Sequence, residues 1–145
     1  VVLYHMAQSI VKMKVLANLP GNLKAKSHSE TQMDIKLSLL PLTSYLRLYA
    51  IREKLASANS LERAEKLHKR SVIDSSTFEE LTEAYNLLTL LRIKNQAYSI
   101  DRNEAPGNTI SLGQIYHLEA LSLKKVLTDI SAIQTRLGSG FSGMS

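Results

Sequence analysis

The sequence predicts an all-α fold, an antiparallel bundle of four main helices plus one short helix. Three observations carry this. Apolar residues recur at spacings of three and four over most of the 145 residues. No period-two run is sustained between turn signals, the nearest being Ile35, Leu37 and Leu39. Apart from residues 21–34, the connections between periodic segments are short, and short helix connections favour antiparallel neighbours.

The first seam is Leu3, Met6, Ile10, Met13 and Ala17, stopped by Pro20 and Gly21. The polar stretch 21–34, with His28, Ser29 and Thr31, reads as a loop. The second set is Leu42, Tyr45, Leu46, Tyr49 and Ala50, with Pro41 placed in the first turn, where its missing N–H costs nothing. Asn59 stands three residues before Glu62, a capping-box spacing that opens a short helix through Leu61, Ala64 and Leu67. Glu62 and Lys66 form a favourable pair on its exposed face. Ser76 and Glu79 give a second box. Behind it runs the longest helix, about 77–100, with Leu81, Ala84, Tyr85, Leu88 and Leu91 on one face. Leu87, Leu90 and Ile93 widen that face, so this helix is expected to be central and packed on more than one side. Residues 101–108 form a loop around Pro106 and Gly107. Ser111 is the expected cap of a last helix through Ile115, Leu118, Leu123, Val126, Ile130, Ile133 and Leu137. The end, 138–145, reads as a flexible tail.

Composition bounds the class. Hydrophobic residues make up 44% and charged residues 21%, the balance of a globular chain able to bury a core without staples. There is no cysteine, which removes a disulfide framework and a thiol nucleophile and points to a reducing, cytoplasmic setting. The opening residues lack the continuous apolar run of a signal peptide or membrane span. The first residue is Val1, so the chain reads as a single domain of a longer protein. The net charge of +5, dense around Lys24 and Lys26 and again at Arg63, Lys66, Lys69 and Arg70, falls short of a nucleic-acid-binding stripe.

No catalytic constellation is visible. Gly107 and Gly113 lack the spacing and the preceding strand of a phosphate loop. His5, His28, His68 and His117 are too scattered for a metal set, and no serine sits in a nucleophile elbow. Glu79, Glu80 and Glu83 fall in the first turns of a helix, where the dipole explains them. What stands out is polar residues on apolar faces: Arg47 between Tyr45 and Tyr49, Arg92 within LLTLLRIKNQ, and Gln96 one turn beyond. A buried guanidinium needs a partner, either an acidic side chain of a neighbouring helix or a phosphate or carboxylate ligand.

The ordered segments LLPLTSYLRLYAI (39–51), NSLERAEKL (59–67), ELTEAYNLLTLLRIKNQ (80–96), PGNTISL (106–112) and IQTRL (133–137) together resemble the helical nucleotidyltransferase substrate-binding domain. The resemblance covers about residues 34–141, with 1–33 as a loosely matching helix and loop. It implies the C-terminal part of bacterial signalling proteins that also carry CBS or cyclic-nucleotide-binding domains and a catalytic domain related to protein-PII uridylyltransferases. Magnesium and a nucleoside triphosphate are then implied for that catalytic domain, and no cofactor for this chain. The isolated Asp34, Asp74, Asp101 and Asp129 supply no aspartate pair for the metal. Matching positions make Arg47, Tyr85, Arg92, Gln96 and Asn108 the substrate-binding candidates. Ser44 stands where the family commonly has an aspartate, which leaves Arg47 in need of another partner or free for a ligand.

The expected function is therefore an accessory, substrate-binding domain of a signalling nucleotidyltransferase. It would assist nucleotide or acceptor binding beside a neighbouring catalytic domain of the same chain, with nucleic acid and membrane as disfavoured partners. The alternative is a structural or oligomerisation module that binds no ligand and forms a homo-oligomer.

Overall fold

The structure, a computed structural model, describes residues 5, 6, 8 and 32–141, with side chains through 136. Its order is β1 (Gln32–Asp34), α1 (Ile35–Arg52), α2 (Ser60–Lys69), α3 (Ser75–Asp101), β2 (Thr109–Ser111), a 3-10 turn (Leu112–Gln114) and α4 (His117–Phe141). The fold class is all-α, with three long helices and one short one among the described residues. His5, Met6 and Gln8 are helical and Met6 packs against the core. The rest of the expected first helix, and residues 21–31 of the expected loop, lie outside the described residues.

Helix starts follow side-chain caps, and three differ from expectation. α1 begins at Ile35, six residues before Pro41, because the Asp34 carboxylate accepts the Leu37 N–H at 3.1 Å. Pro41 therefore lies inside the helix, where it withholds a hydrogen bond from the Leu37 carbonyl. Leu37 is on the exposed side, where solvent can take that role. Asp74, not Ser76, caps α3 by accepting the Thr77 N–H at 2.7 Å, and Ser76 instead donates to Glu80. α4 starts at His117 rather than at Ser111, which belongs to β2. Asn59 does cap α2, accepting from Leu61 N at 2.8 Å and Glu62 N at 3.4 Å. Glu62 does not complete the box: its carboxylate takes Ser57 and, at 2.6 Å, Lys66.

Three helices end without glycine. Lys54, Ser71 and Asn103 each adopt a left-handed backbone with φ between 54° and 57°. In each case the next N–H reaches back to the carbonyl five residues earlier: Leu55 to Ala50, Val72 to Leu67 and Glu104 to Ser99. Leu55 and Val72 then pack on the core, which fixes the direction in which the chain leaves α1 and α2.

α3 is the spine. It has 27 residues, about 40 Å of helix, and buries Leu81, Ala84, Leu88 and Leu91. α4 runs antiparallel to it, tied by Lys94–Glu119, Glu83–Lys125 and Glu80–Arg136. Leu123, Val126, Leu127, Ile130 and Ile133 of α4 and Leu42, Leu46 and Leu48 of α1 fill the same core. α3 contacts α1, α2, α4 and β2, and Leu87 packs on the core, so the helix is central and packed on more than one side as expected; the correction is at Leu90 and Ile93, which are 51% and 58% exposed. Gly138 to Phe141 continue α4 as helix rather than tail.

The strands were not expected. Gln32, Met33 and Asp34 pair antiparallel with Ser111, Ile110 and Thr109, and the Ile35 N–H extends the ladder to the Asn108 carbonyl at 2.9 Å. Met33 and Ile110 are each 3% exposed, so the ribbon is held by burial as well as by its hydrogen bonds. It ties the start of α1 to the α3–α4 connection.

Candidate functional site

The connection after α3 is exposed through Gly107 and then returns to the helix. Asn95 on α3 donates from Nδ2 to the Thr109 carbonyl at 3.0 Å, pinning β2 across the helix. Ile110 and Leu112 turn inward, and the 3-10 turn carries the chain back over α3 before α4 starts. Between α3 and this return lies a cleft of about 360 Å³. Leu91, Ile110 and Ile115 line its apolar part, and Lys94, Asn95, Tyr98, Ser111, Gln114, Tyr116 and Glu119 contribute its polar and aromatic lining.

The mouth is organised by one carboxylate. Glu119 bonds to Lys94 across 25 positions of sequence and accepts the Tyr116 N–H at 3.2 Å. The second bond is the backward half of a capping box: the third helical residue satisfies the N–H of the residue before the helix. The Lys94 bond, with a smaller contribution from the Tyr116 N–H, holds the Glu119 carboxyl below its ordinary value. Lys94 Nζ also lies 5.5 Å from the centre of the Tyr116 ring. On the α3 side, Arg102 lies 5.2 Å from the Tyr98 ring centre and donates to its hydroxyl at 3.1 Å.

The five residues singled out in the sequence lie elsewhere; none lines this cleft. Arg47 is exposed on α1, with no hydrogen-bond partner among the described residues. Its neighbours in sequence do not sandwich it: Tyr45 is 7% exposed and contacts Tyr49 at 4.7 Å, and the guanidinium over the Tyr49 ring is that of Arg52, at 4.4 Å. Burial, with Tyr49 adding to it, pushes the Tyr45 hydroxyl above the usual tyrosine range. Tyr85, Arg92 and Gln96 are half-buried and share one flank of α3 by their helical spacing. Tyr85 packs on the core, whereas the buried Arg92 Nε has no hydrogen-bond partner among the described residues. Asn108 is half-buried with its side-chain Oδ1 likewise unpartnered, while its backbone carbonyl serves the ribbon.

What the sequence reading missed is the other flank of α3. Leu91, Asn95 and Tyr98 follow one another at steps of four and three, a stripe offset from Arg92 and Gln96. Thr109, Ile110, Ser111 and Leu112 alternate outward and inward, which is a short strand signal. Among the described residues no three His, Asp or Glu side chains gather to hold a metal. No helix among them is long and apolar enough to cross a membrane.

Fold and cleft together define a helical domain with an aromatic-rimmed, charge-neutralised pocket. The sequence model of the family described as "Putative nucleotidyltransferase substrate binding domain" matches residues 1–141, and the chain belongs to that family. No curated protein and no solved structure matches it.

Proposed function

We propose that this domain is the accessory substrate-binding part of a nucleotidyltransferase, and that the cleft beside Asn95 is where the substrate sits. The observation that carries the proposal is the cleft itself: an apolar floor, a few convergent polar groups and two tyrosines, which is the make-up of small-molecule sites. Family membership supplies the class of enzyme served. On this reading the domain lies beside a catalytic domain in a cytoplasmic signalling protein of the CBS or cyclic-nucleotide-binding type, and the magnesium and nucleoside triphosphate belong to that partner domain.

The test compares two flanks of α3 in the protein that carries this domain beside a catalytic one. Gln114→Ala in the cleft should lower nucleotidyl transfer, or raise the substrate KM, about tenfold, and Arg92→Ala should do less. The reverse ranking would move the site to the arginine flank that the family positions suggest. A second reading, an interaction module without ligand, draws on Leu90, Ile93 and Ile100, which leave 51%, 58% and 60% of their surface exposed along α3. It requires concentration-dependent self-association in sedimentation and no effect of either substitution on transfer.

A further inference from the structure

We infer that the cleft takes a flat, uncharged heteroaromatic group of nucleobase or nucleoside type, and that it does not take phosphate. The inference rests on the reading of the cleft as a substrate seat and names what that seat admits. Size sets the first limit. About 360 Å³ is near the lower end of small-molecule sites, room for a ring and a sugar rather than for a long ligand.

Charge sets the second. Among the described residues the one cationic group in the lining is Lys94, and Glu119 pairs with it. An incoming phosphate would meet the Glu119 carboxylate beside that lysine. The Tyr116 N–H just ahead of α4 is taken by the same carboxylate, which places a negative charge at the helix start where an anion would have to approach. Among the described residues, basic side chains gather instead around a depression of about 310 Å³ lined by Lys54, Lys66, Lys69 and Arg70 at the end of α2, where Lys66 and Lys69 pair with Glu62 and Glu65 and Lys54 and Arg70 have no salt-bridge partner.

Aromatic surface and free amides give the positive part of the argument. Tyr98 and Tyr116 line the cleft with 50% and 75% of their surface exposed. Stacking of a base on such a ring is worth about 1–3 kcal/mol, which is about fivefold to 150-fold in affinity. Gln114 is exposed with no hydrogen-bond partner among the described residues, so its amide offers both a donor and an acceptor. Asn95 spends its Nδ2 on Thr109 and keeps Oδ1 as an acceptor. Paired donors and acceptors beside an aromatic face match the edge and the face of a base.

The experiment is calorimetric titration of the chain with uridine, with adenosine and with inorganic tripolyphosphate. It is repeated on Tyr116→Ala, Tyr116→Phe and Gln114→Ala, with circular dichroism as the folding control. A nucleoside should bind, weaken about tenfold or more in Tyr116→Ala, and stay within about twofold in Tyr116→Phe. Tripolyphosphate should not displace it. Displacement by tripolyphosphate, a nucleoside affinity indifferent to Tyr116→Ala, or no nucleoside binding up to solubility would each overturn the inference. If no nucleoside binds while Gln114→Ala still lowers transfer, the ring reading falls and the substrate seat stands. If a nucleoside binds but transfer ignores Gln114→Ala, the ring pocket stands and the seat falls.

Discussion

At the scale of the residue, Glu119 links the two walls of the cleft. It caps α4, neutralises Lys94 and places Tyr116 at the cleft mouth. Its carboxyl is held below the ordinary value of 4.5, first by the Lys94 bond. A depressed carboxylate stabilises the fold above its unfolded value, and that contribution is lost as pH falls through the folded value. The first turn of α4 should therefore be firm at neutral pH and loosen only as pH drops below 4.5. The Tyr116 amide, followed by NMR across that range, should shift with the titration, and Glu119→Gln should abolish the dependence. A Tyr116 amide that ignores this window would show that the cap does not form. Arg92 makes the opposite point. Its position among leucines marks it in the sequence, yet the structure half-exposes it and leaves its Nε unpartnered among the described residues, so its role is decided by measurement rather than by burial.

At the scale of the element, the helices were legible and their ends were not. The periodic sets in α1, α3 and α4 bury as their spacing predicts, because side-chain period is a local property of the backbone. Ends are local too, but these depend on unmarked residues. Asp34 and Asp74 cap α1 and α3 without the serine or threonine that signals a box. Lys54, Ser71 and Asn103 close helices in the left-handed conformation where glycine is the usual sign. That conformation costs a β-carbon-bearing residue roughly 1–2 kcal/mol, offset in part by glycine's greater chain entropy when unfolded. Ser71→Gly should thus raise stability by about 0.5–1 kcal/mol, read as a higher urea midpoint with an unchanged slope. A lower midpoint would mean that Ser71 does not hold a positive φ. The two strands escaped for a different reason. Three residues of β1 are too few to show a period, the alternation over residues 109–112 is barely longer, and the partners Met33 and Ile110 are joined only by the tertiary fold.

At the scale of the whole molecule, the site comes from the coming together of distant segments. The all-α class and the family resemblance are carried by contiguous motifs, so they could be read from the chain. The cleft could not: its walls are one face of α3 and a return segment whose course is set by the ribbon and by the Asn95–Thr109 bond. The arginines drew attention because a charge among leucines is conspicuous in one dimension. The cleft residues Lys94, Asn95 and Tyr98 look like ordinary surface in one dimension and acquire meaning only when β2 lies across them.

We place the substrate in the cleft beside Asn95 and not on the Arg47 or Arg92 surface. The most direct measurement is chemical-shift mapping of the isotope-labelled chain titrated with uridine and with adenosine. The shifts should concentrate at Asn95, Tyr98, Gln114, Tyr116 and Glu119 and should saturate together. Shifts gathered instead around Arg47, Arg92 and Gln96, or no saturable shifts at the cleft, would show that the substrate does not sit there.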